Sequence, residues 1–284
     1  MPGTDLAIKD VAQRTGIAAG TIRMWEQRYG FPAPERTSSG YRRYTEDDVD
    51  ALRKVLALRH RGLSVPAAIQ RAQDHEGGSS DHPSIYAAVA AADHGARPHV
   101  LKKSTLMALS RAIEHEALAV AAAPLVFAAF QREAFYRSVE QRYRRLAANA
   151  DAAAVFAEFA GGLAHPEGGP AEIPIASDDA LSNEWVVIID APGYAACLLA
   201  WEQPGVREPG GSDDLDRRFE AIWTIDPRAT RRAAQVAARL AGAADPVLGE
   251  RLRMLLEDRP LAMDEPAPAL TALTNRIVAY LEAV

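Results

Sequence analysis

Apolar positions recur at helical spacing in the N-terminal quarter of the chain and gather into short unbroken runs further on. Leu6 or Ile8 with Val11 and Ala12 makes one apolar face, and Thr15-Gly16 stops that helix, because glycine tolerates the left-handed conformation that ends helices. A second helix follows within a few residues. Ile22, Trp25 and Tyr29 face inward on it, which leaves Thr21, Arg23, Met24, Gln27 and Arg28 outside, with an edge of Trp25 able to reach a ligand's backbone. Gly30-Phe31-Pro32-Ala33-Pro34 forces an extended exit, since proline lacks an N–H and restricts its predecessor. Ser38-Ser39-Gly40 is turn chemistry between Glu35-Arg36-Thr37 and Tyr41-Arg42-Arg43-Tyr44, and predicts a small β-hairpin. Thr45 then caps a helix whose face is Val49, Leu52 and Val55 or Leu56, Gly62 closes it, and Leu63 to Ile69 restarts a short one. No apolar heptads are sustained after Gln73, and residues 77–83 (Gly-Gly-Ser-Ser-Asp-His-Pro) read as a flexible linker.

From Ser84 the pattern changes to alternating helices and short strands. Helices are predicted over Ser84–Asp93, Ser104–Ala122 and Glu133–Ala148, and from the Asp226-Pro227 cap through Leu240. Strands are predicted at Leu125–Phe130, Ala153–Phe159, Trp185–Asp190, Ala195–Trp201 and Phe219–Ile225, with Ala191-Pro192-Gly193-Tyr194 as a hairpin turn. Two leucine-rich helical stripes close the chain, one through Leu248, Leu252, Leu255 and Leu256, the other through Leu270, Leu273, Ile277, Val278 and Leu281. The expected fold class is therefore mixed α/β. A mostly helical winged helix-turn-helix (residues 1–76) and a linker (77–83) precede an α/β domain (84–242) with a mixed, about five-stranded sheet; a helical extension (243–284) follows.

Charge sharpens this division. Up to Glu76 there are 12 Lys+Arg against 10 Asp+Glu, while the remainder carries 20 against 28, so the acidic part is ill suited to nucleic acid. Between Ala18 and Tyr44 five arginines face two glutamates. Helix, tight turn, second helix and basic hairpin in that order predict double-stranded DNA binding, the second helix entering the major groove and the hairpin gripping phosphates. The only cysteine, Cys197, excludes an intrachain disulfide and a cysteine-based metal cage. No apolar run approaches a membrane span and the N-terminus lacks a secretion signal, so a cytoplasmic location and no membrane partner are expected.

The N-terminal stretch from about Leu6 to Gln73 resembles the DNA-binding domain of the MerR family of transcription regulators. The resemblance rests on Ile8-Lys9-Asp10-Val11-Ala12, Thr21-Ile22-Arg23-Met24-Trp25-Glu26, Arg28-Tyr29-Gly30, Arg36 and Gly40-Tyr41-Arg42-Arg43-Tyr44. The Trp-Glu-x-Arg-Tyr-Gly-x-Pro-x-Pro form is similar to the subgroup that includes cobalamin-dependent photoreceptor regulators. The resemblance implies a homodimer on an inverted repeat in a promoter, RNA polymerase as a partner there, and deformation of the promoter spacer. It implies recognition-helix roles for Thr21, Arg23, Trp25, Arg28 and Tyr29, and wing roles for Arg36, Arg42, Arg43 and Tyr44. Family members commonly dimerise through a long helix after this domain; its absence from the pattern here shifts dimerisation to the C-terminal part. Residues from about His82 to Ala241 resemble the DICT sensory domain, on Leu101-Lys102-Lys103-Ser104-Thr105-Leu106, Ser110-Arg111-Ala112-Ile113-Glu114, Phe127 to Glu133 and Trp185. That resemblance implies a sensory or interaction role for an unnamed small molecule or protein signal.

Candidate chemistry outside the basic hairpin is sparse. Gln131-Arg132-Glu133 follows an apolar strand, where polar groups often line a ligand crevice, and with Trp185 forms the candidate ligand set; the competing reading is a plain helix start with Glu133 in its first turn. Glu114, His115 and Glu116 are adjacent and cannot face one way on a helix, so no metal site is expected. Asp93-His94-Gly95 lacks the Asp-x-His-x-x-Gly spacing of a cobalamin ligand, and no cofactor is expected. There is no P-loop, no Gly-x-Ser-x-Gly elbow and no metal-binding His pair, which argues against an enzyme. An enzyme or partner-binding protein regulated through its N-terminal domain, and a constitutive architectural DNA binder, remain the rival functions.

Overall fold

The computed structural model describes residues 6–37, 39–60, 65, 68–69, 72, 84–90, 98–177, 179–203, 214–262 and 278. The expected linker 77–83, the Asp93-His94-Gly95 motif and the second terminal leucine stripe apart from Val278 lie outside those residues.

Helix α1 (Ile8–Thr15) ends at Gly16, whose φ of 74° supplies the left-handed turn, and α2 (Ala19–Tyr29) ends likewise at Gly30. Strands β1 (Glu35–Arg36) and β2 (Arg42–Arg43) pair antiparallel as the wing. A two-way backbone bridge between Leu6 and Tyr44, at 2.9 and 3.0 Å, ties the wing's root to the start of α1. Helix α3 (Glu46–His60) is opened by Thr45, whose hydroxyl accepts from the Asp48 amide at 3.2 Å while Asp48 accepts from the Thr45 amide at 2.8 Å. Val11, Ile22, Trp25, Tyr44, Leu52 and Val55 make a separate small core.

The second region is built on one seven-stranded sheet in the order β3-β9-β8-β7-β4-β5-β6. Its strands are β3 (His99–Lys102), β4 (Leu125–Ala129), β5 (Ala152–Ala157), β6 (Ala171–Pro174), β7 (Glu184–Ala191), β8 (Tyr194–Glu202) and β9 (Arg218–Thr224). Pairing is parallel for β4–β5 and β5–β6 and antiparallel elsewhere. The sheet is buried on both faces, so its central strands read as continuous apolar runs. Leu125, Phe127, Ile188 and Leu199 point to one face, covered by α4 (Ile85–Ala90), α8 (Pro227–Ala244) and α9 (Pro246–Asp258). Val126, Val187, Ile189 and Leu198 point to the other, covered by α5 (Lys103–Val120), α6 (Glu133–Arg137) and α7 (Glu140–Ala148). Asp226 and Asp245 cap α8 and α9, each accepting two backbone amides ahead of a proline in the first turn.

The sheet therefore has seven strands, two more than the sequence pattern suggests. The additional strands, β3 and β6, are its edges. Of the four residues of β3 only Leu101 is buried, and β6 ends in Pro174, so neither carries the apolar run of an interior strand. The helix expected over Glu133–Ala148 is broken at Ser138-Val139 into α6 and α7, which brings Tyr136 and Tyr143 together with Phe130 and Phe159 in one aromatic cluster. Among the described residues no helix is long and apolar enough to cross a membrane.

Candidate nucleic-acid interface

The wing and the second helix meet through a residue that the charge pattern alone does not single out. Glu26, on the flank of α2, accepts from Arg42 Nε at 2.5 Å and from the Tyr44 hydroxyl. Burial and the Glu26 carboxylate both push the Tyr44 phenol well above its usual value, so it stays protonated as a donor. The wing is thus fixed to α2 by a carboxylate with both oxygens engaged. A signal for this was present in the chain, since Glu26 is the one acid in α2.

Beside this tie a cleft of about 270 Å³ is lined by Ala7, Ile8, Arg23, Gly40, Tyr41, Arg42 and Arg43. Arg23 from α2 and both arginines of β2 therefore converge between the start of α1, α2 and the wing. Tyr41 stands at the tip of the hairpin, 71% exposed, and Arg36 is exposed on the opposing strand. Thr21 is half-buried. Trp25, Tyr29 and Tyr44 lie in the core of the N-terminal region; they hold the two helices and the wing in place from within.

Arg28 goes elsewhere. Its side chain is buried, 4% exposed, against the second region. Its two terminal nitrogens reach both oxygens of Glu220 on β9, at 3.0 and 3.4 Å. The guanidinium lies 4.1 Å from the ring centre of Tyr86 on α4 and 5.1 Å from that of Trp201 on β8. The Tyr86 hydroxyl donates to the same Glu220, and burial drives that phenol far above its ordinary value. Arg28 Nε has no hydrogen-bond partner, so the cation is enclosed with part of its capacity unmet. Next to this contact the outward face of α2, at Gly20, Arg23, Met24 and Gln27, looks across a cleft of about 360 Å³ at Asn183, Trp201, Glu202 and Gln203.

The four candidate ligand residues divide. Gln131 and Trp185 line a common cavity of about 240 Å³ on the α5–α7 side of the sheet. Gln131 is nevertheless spent, accepting from Arg217 at 2.7 Å and donating to Glu202 at 2.6 Å. Arg132 is exposed, and Glu133 turns away to accept from Arg137 and from the Ala160 amide. Cys197 is fully buried in β8, and burial pushes its thiol up to about 12. Among the described residues no three His, Cys, Asp or Glu side chains cluster to hold a metal.

Three family models match the chain. The MerR HTH family regulatory protein matches residues 6–75; the sensory domain in diguanylate cyclases and two-component systems, DICT, matches 82–203; and the C-terminal domain of a two-partite extracellular sensor domain matches 213–284. The last match includes β9, which in the structure pairs with β3 and β8 of the DICT stretch. Among curated proteins, the transcriptional repressor CarA of Myxococcus xanthus is 47% identical over 66 residues, 22% of this chain and 23% of the relative. The repressor CarH of the same organism is 39% identical over 61 residues, 22% and 20% of the two chains. The transcriptional regulator YfmP of Bacillus subtilis is 43% identical over 54 residues, 19% of this chain and 39% of the relative. The chain thus spans well under half the length of each of these relatives.

Proposed function

Because the chain carries a MerR-type helix-turn-helix domain joined to a DICT sensory domain, we propose that it is a transcription regulator that binds promoter DNA and is released or engaged by a signal in the C-terminal part. In this reading residues 1–76 bind DNA, 77–83 link, and 84–242 with the extension to 284 sense. The regulator acts in the cytoplasm without catalysis, as a homodimer on a palindromic site beside RNA polymerase. Support for DNA binding comes from the convergence of Arg23, Arg42 and Arg43 on one cleft beside exposed Tyr41 and Arg36. Such a surface suits phosphates and base edges.

The observation that carries the regulatory half is buried Arg28. A recognition helix must present its outward face to a groove about 12 Å wide. Here that face looks at the sensory sheet, and one of its cations is bound to Glu220 beneath Tyr86 and Trp201. The arrangement is a closed state, in which DNA and the sensory domain compete for α2. On opening, Arg28 Nε, which has no partner in the contact, would regain water.

The test is a footprint of the full chain on its own promoter across a salt series. Specific protection of an inverted repeat is expected. Arg23→Ala and Arg36→Ala should each weaken it and lower the salt slope by about one. Glu220→Ala, which frees Arg28 without touching the helix-turn-helix, should tighten binding severalfold. No specific protection would sink the DNA-binding reading; protection indifferent to Glu220→Ala would sink the closed state alone.

A further inference from the structure

The cavity that Gln131 and Trp185 share lies between α5 and the α6–α7 pair at the carboxyl end of β4, on the opposite side of the sheet from Arg28. Its floor is aromatic and aliphatic, with Phe130, Phe135 and Trp185 beside Met107 and Val139. The Trp185 indole N–H is already given to Ser110 Oγ at 2.9 Å, so what the indole has left to offer is its ring.

Each carboxylate oxygen in the lining already accepts a hydrogen bond. Glu114 accepts from Tyr143 at 2.7 Å on one oxygen and from Arg142 at 2.6 Å on the other. Asp214 accepts from Lys103 on one oxygen and from Arg217 at 3.0 Å on the other. Glu184 takes the Ser84 hydroxyl and, at 3.2 Å, the Tyr86 amide, both from the far face. The cations are not exhausted in the same way. A guanidinium has five N–H donors and an ammonium three. Arg142 and Lys103 keep donors in hand, and Arg111, exposed at the rim, makes no ion pair with any described residue. The wall therefore presents spare cationic donors and aromatic surface, and every carboxylate oxygen in it already holds a donor.

We propose that this cavity binds a small aromatic carboxylate of one or two fused rings, the ring against Phe130, Phe135 and Trp185 and the carboxylate on Arg111 and Arg142. Its volume of about 240 Å³ is below the ~300–1,000 Å³ of drug-sized sites and too small for a dinucleotide or a tetrapyrrole. The proposal rests on the sensory reading of this region and names the chemistry sensed.

Binding is measured on the full chain without DNA, by calorimetry and tryptophan fluorescence, with benzoate and indole-3-carboxylate against their neutral carboxamides, cyclohexanecarboxylate and inorganic phosphate. The aromatic acids should saturate and change Trp185 fluorescence, and the carboxamides should bind about tenfold more weakly, as expected for loss of a charge-assisted hydrogen bond. Inorganic phosphate should not bind, and cyclohexanecarboxylate should bind more weakly than benzoate. Arg111→Gln, at an exposed position, should erase most of the difference between acid and amide; Met107→Trp, which fills the cavity, should abolish both. No saturable binding of either aromatic acid at millimolar concentration, equal binding of acid and amide, or binding untouched by both variants would overturn the proposal. Because DNA is absent, failure here leaves the promoter footprint as it stands, and a failed footprint leaves this binding as it stands.

Discussion

Arg28 and Glu184 show how a single side chain is defined by what closes over it. Arg28 occupies an outward position of an ordinary amphipathic helix, and in isolation it would be a solvated cation; Tyr86, Trp201 and Glu220 make it a buried one. Glu184 begins β7 at the sheet's α4 face, and burial raises its carboxyl to about 7 despite hydrogen bonds from Ser84 and the Tyr86 amide. The ordinary value in an unfolded chain is near 4.5. Between those two values the folded state holds the proton more tightly than the unfolded state, so this group's contribution to stability is greatest below about 4.5 and is lost as pH rises to about 7. Glu184→Gln should remove that slope and raise stability at pH 8 relative to the parent, checked by urea unfolding at about pH 5 and 8. An unchanged slope would mean that Glu184 titrates as an ordinary carboxylate.

At the scale of elements, the wing and the last two helices carry the sharpest expectations. Glu26 holds Arg42 and Tyr44, so Glu26→Gln should weaken promoter binding by loosening β2 against α2. Charge alone predicts the reverse, since removing a negative side chain favours a polyanion. A gel shift that tightens would therefore refute the positioning role. Helices α8 and α9 cross where Gly249 meets Gly242 so closely that a Cβ on Gly249 would fall 2.3 Å from the Gly242 Cα. Gly249→Ala should cost about 1–3 kcal/mol, as overpacking does, visible as a lowered denaturation midpoint at unchanged m.

These elements were legible to different degrees. The interior strands β4, β7 and β8 announce themselves because burial on both faces demands unbroken apolar runs, β9 by its apolar residues around Glu220, α8 by the Asp226-Pro227 pair at its start and α9 by its leucine stripe. The edges β3 and β6 do not, because an edge strand tolerates His99, Lys102 and Pro174, and Glu172 is buried only through its ion pair with Arg137. The break between α6 and α7 was equally silent. Phe135, Tyr136, Val139 and Tyr143 fit one continuous helix, and only packing around Phe130 and Phe159 rewards the turn at Ser138-Val139.

For the whole molecule, the sheet unites stretches matched by two sensory-domain families, with β9 inserted between β3 and β8, and the N-terminal region docks on that sheet through Arg28. On the reading proposed above, DNA and the sensory region would share the surface of α2. A double-mutant cycle of Arg28→Ala and Glu220→Ala on full-chain stability should give a coupling of about 0.5–3 kcal/mol, as residues in contact do. Additive effects would mean that the two regions do not meet in solution.

The sequence by itself determined the helix-turn-helix with its basic wing, the α/β character of the remainder and the boundary in charge between them. Those properties follow from local spacing, turn chemistry and composition, which act over a few residues. Tertiary structure alone decided that Arg28 faces Glu220 across 192 positions, that Gln131 and Trp185 share a cavity while Glu133 turns away, and that Glu26 fixes the wing. These depend on which distant surfaces meet. A side chain's local pattern states whether it can be buried, and only the fold states what buries it.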